Sequence, residues 1–434
     1  MGNIRTRLYN RRVVDAYGYV LDVINTYIMY ENKVRQVHIE VTDKCNSECP
    51  VCPRNMSGGL IHPNIKNIQL GLDYFKLLGE DFIKDIEQWQ FCGTRGDPMA
   101  NTEIVEILKY IRSINYKARL CITTNGGIGG VKRFKEISNI VGGRGYVTFS
   151  VDGWEDTNHI YRKNVRWDKV RANMDAYLSG SGIMKWEYLV FKHNSHQIWD
   201  AIKFAKEHNI WLVLKEPFGF EGAFDFEGDG LKHIMSLPVY SSKDGAFLYH
   251  ICPETNMKIP KYYRESQQAG MGEKYFGAKR HKRQHPKALT ETDKFPPFEV
   301  GVRQLKQWEW LRRYDPKDFE IDCVVKQRDE VFIDVDGMFV PCCFIASNKF
   351  MDEPQVRGMF RGHEKDLVPT ETWKPADILQ SHFFQKTMPD AMNGNLKDDV
   401  GTCHTCINFC GKMPKPTKEE YVSKGGKFQY QQPH

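Results

Sequence analysis

The run Val37-His38-Ile39-Glu40-Val41 and the loop that leaves it, Cys45-Asn46-Ser47-Glu48-Cys49-Pro50-Val51-Cys52, decide how this chain is read. The first five residues have strand character, and the loop then carries three thiols within eight residues. Three is the important number. A structural zinc site or an electron-transfer cluster normally takes four protein ligands. A [4Fe–4S] cube held by three thiolates leaves one iron free for a substrate or cofactor. Taken alone, the spacing also admits a zinc site completed by a distant residue, or three unrelated thiols.

Working outward, short β-branched runs alternate with longer helical ones from residue 34 to 217. The pattern predicts strands over 34–42, 89–93, 118–124, 146–151, 186–191 and 210–215. Helices are predicted over 72–84, 103–114, 131–140, 167–178 and 197–207; Ile104, Ile107, Leu108 and Ile111 mark the 3.6-residue period of the second. Repeated strand–helix units imply a parallel sheet with helices outside. The fold class is α/β. Six units are too few for a closed eight-fold barrel and enough for an open one. In such sheets ligands sit at the C-terminal strand ends, where the cysteine loop lies.

The rest divides into four regions. Residues 1–33 read as an N-terminal helical extension, too short for a separate leader-peptide-binding domain. Residues 218–320 break the rhythm and read as an insertion bridging the two halves, long for a structureless loop. From 321 to 412, Glu330-Val331-Phe332-Ile333-Asp334-Val335, then Asp336-Gly337, then Met338-Phe339-Val340-Pro341 is a hairpin signal, since Asp-Gly favours a two-residue type I′ turn. Cys323 precedes the hairpin, Cys342 and Cys343 follow it, and Cys403, Cys406 and Cys410 come later. Residues 413–434 form a polar tail.

Composition bounds the class. The 434 residues are 41% apolar, ordinary for a globular protein of two or three domains. No uncharged apolar run approaches the roughly 18 residues a membrane span needs, and residues 1–33 read without the apolar segment of a signal peptide. Met1-Gly2-Asn3-Ile4-Arg5-Thr6 fits the loose N-myristoylation pattern, a match short enough to arise by chance. Twelve cysteines in a long chain without an export signal point to metal binding in a reducing compartment, the cytoplasm. The net charge of +6 is mild, which gives no reason to expect nucleic acid as a partner. It concentrates at Lys279-Arg280-His281-Lys282-Arg283, either a solvated loop or a phosphate or nucleic-acid contact.

Further motifs lie at the strand ends: Phe91-Cys92-Gly93-Thr94-Arg95-Gly96-Asp97-Pro98, Thr123-Thr124-Asn125-Gly126, Ser150-Val151-Asp152-Gly153 and Phe191-Lys192-His193-Asn194. With the C-x3-C-x2-C triad, this ordered set resembles the radical S-adenosylmethionine (SAM) superfamily. The resemblance implies a partial (βα)6 TIM-like barrel over 34–217. It implies a [4Fe–4S] cluster on Cys45, Cys49 and Cys52, whose open iron chelates SAM. It further implies that reduction of the cluster releases a 5′-deoxyadenosyl radical. Gly93, Thr94, Gly96 and Asp97 match the glycine-rich segment that meets the SAM amino group, with Asp97 in place of the usual Glu and Arg95 an added charge. Thr124 and Asn125 match the next segment. Ser150 and Asp152 match the ribose contact, and Arg162 the carboxylate contact. Val51 stands where the family often has an aromatic residue.

Cys323, thirteen residues, Gly337, four residues and Cys342 resemble the opening of the SPASM and Twitch auxiliary-cluster domains. The resemblance implies a second [4Fe–4S] cluster on Cys323, Cys342, Cys403 and Cys406, with Cys343 and Cys410 as substitutes; the same thiols also suit zinc. It implies a helix from Trp373 to Phe384 before the last cysteines. Cys92 and Cys121 read as core thiols. Cys252 reads as an inert thiol, a hydrogen-atom donor or a ligand. Glu155, Asp156 and His159 are acid–base candidates beside a plain helix start. The expected activity is hydrogen-atom abstraction in peptide or protein modification, with a reductant such as flavodoxin or ferredoxin as partner. A nucleotide or other small anionic substrate is the alternative. A non-catalytic iron–sulfur electron carrier is the rival class, and it needs no SAM pocket.

Overall fold

The computed structural model describes residues 34–50, 52–56, 60–189, 191, 193–215, 247–251, 320–393 and 403–412. The expectations for 1–33, for Val51, Cys252 and the 279–287 basic stretch, for nearly all of the insertion and for the tail fall outside these residues. Among the described residues no helix is long and apolar enough to cross a membrane.

Six parallel strands stand in chain order: β1 (Gln36–Ile39), β2 (Gln88–Phe91), β3 (Arg119–Thr124), β4 (Gly145–Ser150), β5 (Ile183–Leu189) and β6 (Trp211–Lys215). β7 (Phe247–Ile251) adds antiparallel to β6. At the opposite edge, β8 (Glu330–Ile333) runs parallel to β1 with Val37 against Val331, and β9 (Phe339–Val340) returns antiparallel. The nine strands follow the order β9-β8-β1-β2-β3-β4-β5-β6-β7, an open sheet in the manner of a partial barrel. All six predicted strands are present, so the α/β reading holds.

The two faces of the sheet differ because the strands alternate. Val37, Ile39, Trp89, Phe91, Leu120, Ile122, Val147, Phe149, Trp186 and Leu212 are buried in one core with the helices. Helix Ile104–Ile114 contributes Ile104, Ile107, Leu108 and Ile111 to it, the stripe its period predicts. Helices Val131–Val141, Trp167–Leu178 and Ile198–Glu207 match their predicted spans closely. The stretch read as one helix over 72–84 is two, Leu72–Leu78 and Glu80–Asp85. Gly79, at φ 83°, turns the chain out of the right-handed helical region between them.

The opposite face carries many polar side chains, bonded between strands and along them. Gln88 Nε2 donates to Gln36 Oε1 at 3.4 Å, Gln90 Nε2 to Thr123 Oγ1 at 3.3 Å, and Lys185 Nζ to Glu187 Oε1 at 2.5 Å. Parallel sheets covered on both faces are usually apolar throughout. A polar face therefore marks the side that receives something other than a helix.

The hairpin is present, and its turn differs from the predicted one. Five residues, 334–338, separate the paired Ile333 and Phe339. Asp334 Oδ1 accepts from the amides of Asp336 and Met338, both at 3.0 Å. Gly337 is left-handed at φ 79° and Asp336 is not, whereas a type I′ turn needs both. The Asp334 side chain has taken over the turn. The 321–412 region also shares the barrel core: Phe332, Phe339, Ile345, Phe360, Phe383 and Cys403 belong to the same cluster as Val37 and Trp89. The helix predicted over 373–384 is short, Pro375–Leu379, followed by a π-helical turn at Phe383–Thr387.

On the polar face, His38 Nε2 donates to the Cys92 carbonyl at 2.6 Å, and the side chain is only 16% exposed. Burial holds its pKa down at about 4. A folded-state pKa below the unfolded value of about 6.5 means that acid favours unfolding. Stability is therefore lost as pH falls from about 6.5 towards 4. In urea titrations, His38→Asn should lack a loss of about 2 kcal/mol that the native chain shows between about pH 7 and pH 5.

Candidate functional site

The three thiols are set by a loop whose shape is dictated by buried carboxylates. Asp43 Oδ1 accepts from Ile68 N at 2.8 Å, and its Oδ2 accepts from Lys66 N at 2.7 Å and Asn67 N at 3.2 Å. Arg54 donates to the Asp43 carbonyl, and Asn55 Nδ2 reaches the carbonyls of Ser47 (3.3 Å) and Cys49 (3.2 Å). The loop thus closes on itself around the thiols.

Cys45 and Cys49 have hydrogen-bond donors suited to a thiolate. Cys45 Sγ accepts from Ser47 N at 3.4 Å and from Asn125 Nδ2 at 3.6 Å. Cys49 Sγ lies 2.9 Å from Ser47 Oγ and 3.8 Å from Arg162 Nη1. Cys52 donates to the Thr94 carbonyl at 3.9 Å. Tyr161 and Phe191, with ring centroids 4.7 Å apart, pack with Cys49 and cover one side. Burial pushes Cys45 up to about 12 and Cys52 up to about 11, so iron must displace protons to bind here. The soft, hydrogen-bonded thiol set fits an iron–sulfur cluster. Among the described residues no three His, Cys, Asp or Glu converge on a single ion; thiolates on a cube bind separate irons.

The glycine-rich segment leaves β2 and folds over Glu40, the residue after β1. Glu40 Oε1 accepts from Arg95 N at 2.6 Å and Gly96 N at 3.3 Å, and Arg95 Nε donates to Oε2 at 2.6 Å. Burial pushes the Glu40 carboxyl up, and the Arg95 guanidinium and its amide pull it back. Gly96 lies so close to the triad loop that a Cβ there would stand 1.9 Å from the Thr42 carbonyl oxygen. Thr94 Oγ1 is buried without a hydrogen-bond partner.

Asp97 is a tie between segments. Its amide donates to the Lys44 carbonyl at 2.9 Å, and its Oδ1 accepts from Met99 N at 2.9 Å. Its Oδ2 accepts from Thr124 Oγ1 at 3.0 Å and Asn125 N at 2.8 Å. Asn125 Nδ2 then donates to Asn46 Oδ1 at 2.8 Å, which brings the β3 motif onto the cysteine loop.

Asp152 is fully buried behind Arg162. Its Oδ1 accepts from Leu189 N at 2.7 Å and its Oδ2 from Arg162 Nε at 2.6 Å. Arg162 in turn points Nη1 at Cys49. Ser150 ends β4, partly exposed and opposite Glu187. Asn194 Nδ2 donates to the Asp152 carbonyl at 2.8 Å, so the Phe191–Asn194 turn also closes on this site. Glu155, Asp156 and His159 lie apart from these bonds: Asp156 accepts from Gln197 at 2.6 Å, and exposed His159 meets the Glu155 carbonyl.

The C-terminal thiols also gather. Glu320–Ile321 pairs with Gly411–Lys412, and Asp322 N donates to the Cys410 carbonyl at 2.9 Å. A hydrogen bond from Cys410, helped by backbone amides of the short helix after it, draws Cys323 down to about 7. Burial pushes Cys342 up to about 12, and Cys323 and Cys403 lie near enough to act on it. Cys403 and Cys406 are hydrogen-bonded to each other, with Cys342 and Cys323 also beside Cys406. Cys323, Cys342, Cys403 and Cys406 thus lie within electrostatic range of one another, with hydrogen bonds only between Cys403 and Cys406 and between Cys323 and Cys410. Cys343 has Glu330 and Cys92 among its neighbours as well as Cys342. Of the two thiols read as core, Cys121 is fully buried, while Cys92 is partly exposed on the polar face.

Glu40 was legible only as one charge in an apolar strand. The signal that identifies it is its complement, the extra Arg95 in the glycine-rich segment. The loop contact makes a measurable claim. Gly96→Ala should destabilise the iron-free chain by about 2–4 kcal/mol in urea, because backbone must move. Gly143→Ala, with nothing within 4 Å of its Cβ, should stay within about 0.5 kcal/mol.

Residues 39–222 match the family described as the Radical SAM superfamily. Among curated proteins, the GTP 3′,8-cyclase of Clostridium perfringens (strain 13 / Type A) is 28% identical over 210 residues, 48% of this chain and 63% of the relative. The GTP 3′,8-cyclase of Lactiplantibacillus plantarum is 24% identical over 243 residues, 52% of this chain and 66% of the relative. The chain thus spans 63% of the length of the first relative. The crystal structure of Streptococcus suis SuiB aligns at 12% identity over 91% of this chain and 76% of that one, with a TM-score of 0.43.

Proposed function

We propose that this chain is a radical SAM enzyme, the family its residues 39–222 match, and that Cys45, Cys49 and Cys52 hold its cluster beside a SAM pocket built from the β2, β3 and β4 ends. The cofactors would be a [4Fe–4S] cluster and SAM, which together would supply one-electron reductive cleavage of SAM to methionine and a 5′-deoxyadenosyl radical. The observation that carries the residue assignment is convergence. Asn125, Arg162 and the Thr94 carbonyl each touch a different cysteine of the triad, and each comes from a different strand end.

The chain's own residues have separable tasks. Gly93, Thr94 and Gly96 present backbone to the amino group of SAM, and Asp97 holds that segment against Thr124 and Asn125. Arg162, oriented by Asp152, faces the SAM carboxylate, and Ser150 lies towards the ribose. Tyr161 and Phe191 exclude water from the thiols. The substrate lies over the polar face of the sheet and loses a hydrogen atom there. A flavodoxin or ferredoxin serves as reductant. Cys323, Cys342, Cys403 and Cys406 would hold a second [4Fe–4S] cluster, which would supply an electron acceptor for the product radical or a group that orients the substrate.

On substrate class, the SPASM/Twitch-like thiol spacing supports modification of a peptide or protein. A nucleotide is the second reading, favoured by the names of the curated relatives.

Anaerobic reconstitution tests the assignment. The native chain should bind about eight irons, and the Cys45→Ala/Cys49→Ala/Cys52→Ala variant about four. Reduction with SAM should yield 5′-deoxyadenosine in the native chain alone. A variant that keeps all its iron, or a native chain that forms no 5′-deoxyadenosine, overturns the proposal. Stimulation of that product by GTP but not by peptides selects the nucleotide reading.

A further inference from the structure

Arg95 is buried, with its side chain 6% exposed, and its partner Glu40 is completely so. The pair does more than neutralise charge. Glu40 binds the amides of Arg95 and Gly96 as well as the guanidinium, so one carboxylate fixes the middle of the glycine-rich loop. A Cβ on Gly93 would come within 2.7 Å of the same oxygen, so the loop is laid directly on it.

The guanidinium carbon in turn lies 4.8 Å from the centre of the Phe350 ring. Phe350 ends helix Cys343–Phe350, whose N-cap is Cys342. That residue also reaches the segment after the triad: its carbonyl accepts from Asn64 Nδ2 at 2.7 Å, and its ring lies 4.4 Å from that of His62. Lys349 holds the helix end to Asp334 at 2.8 Å. A helix that begins at two C-terminal thiols therefore ends as a lid on the ion pair under the glycine-rich loop.

We infer that Arg95 is a positioning residue for SAM: through Glu40 it fixes residues 93–97, and through Phe350 it ties their order to the C-terminal helix. The inference rests on the proposed reading of that loop as the SAM amine contact. A buried ion pair can be merely structural. What distinguishes this one is that its carboxylate binds loop amides, so loosening the guanidinium loosens the loop. Losing a largely desolvated cation–π contact is expected to change affinity by about 3- to 10-fold.

The test uses the full chain. SAM affinity of the reconstituted, unreduced protein is measured by calorimetry, and amide exchange of residues 93–97 is measured in the iron-free chain. Phe350→Ala should weaken SAM binding about 3- to 10-fold and speed exchange at Arg95 and Gly96, with turnover at saturating SAM little changed. Phe350→Tyr, which keeps a ring face, should restore both. Where Phe350→Ala fails to fold, Phe350→Leu keeps apolar bulk without the ring face and should give the same weakening. Native affinity and native amide protection in either Phe350→Ala or Phe350→Leu overturn the inference. A native chain that binds no SAM overturns instead the reading of the loop, and the exchange experiment then still reports whether Arg95 and Phe350 order it.

Discussion

The Glu40 carboxylate is the constraint on which this half of the molecule depends. Its backbone amide donates to the Ile333 carbonyl at 2.9 Å, which joins β1 to the C-terminal hairpin. Its side chain binds the glycine-rich loop and Arg95. A buried carboxylate must be fully hydrogen-bonded or it costs several kcal/mol. The chain meets that demand by laying one loop on the carboxylate, which takes the amides of Arg95 and Gly96 and the Arg95 guanidinium. The desolvation penalty thereby becomes a specification of geometry.

The same device recurs along the strand ends. Asp43 gathers the amides of residues 66–68, Asp97 gathers those of Met99 and Asn125, and Asp152 gathers Leu189 N and Arg162. These carboxylates are spent on backbone and on a cation, which leaves them little capacity for a ligand. Groups with freedom to meet one are different: the Thr94 hydroxyl, the partly exposed Ser150 and the outer face of Arg162. Buried acids fix the loops, and neutral groups, backbone and a guanidinium are left for the proposed pocket. That division suits a site that must place a zwitterionic cofactor against a cluster without adding a competing negative charge.

The C-terminal region is better understood as part of the barrel than as an appendage. Parallel pairing of β8 with β1 puts the hairpin in the main sheet, and its tip is gripped by Lys66 and Tyr74 of the first half. Lys66 comes from the segment gathered by Asp43, so the loop that shapes the triad also holds the hairpin. The C-terminal thiols are therefore carried at a fixed place relative to the first three.

Much was legible in the sequence. Alternation of period two against period 3.6 located six strands and five helical stretches, since burial of one strand face and one helix stripe leaves a mark at every turn. The thiol triad and the ordered strand-end motifs were legible because their chemistry needs particular residue types at fixed spacings. Other features were not. The break at Gly79 was hidden inside a continuous apolar pattern, and the Asp334-capped turn was masked by a dipeptide that favours another. Parallel pairing of β8 with β1 joins residues almost 300 positions apart. Local periodicity carries no information about such a contact. Partnerships such as Glu40 with Arg95, Asp97 with Asn125 and Asp152 with Arg162 exist only once the strands stand side by side. The amino-acid order determined which chemistry the chain carries and which face of each element is buried. Tertiary structure decided which buried charge meets which loop, because desolvation is felt only after the core has closed.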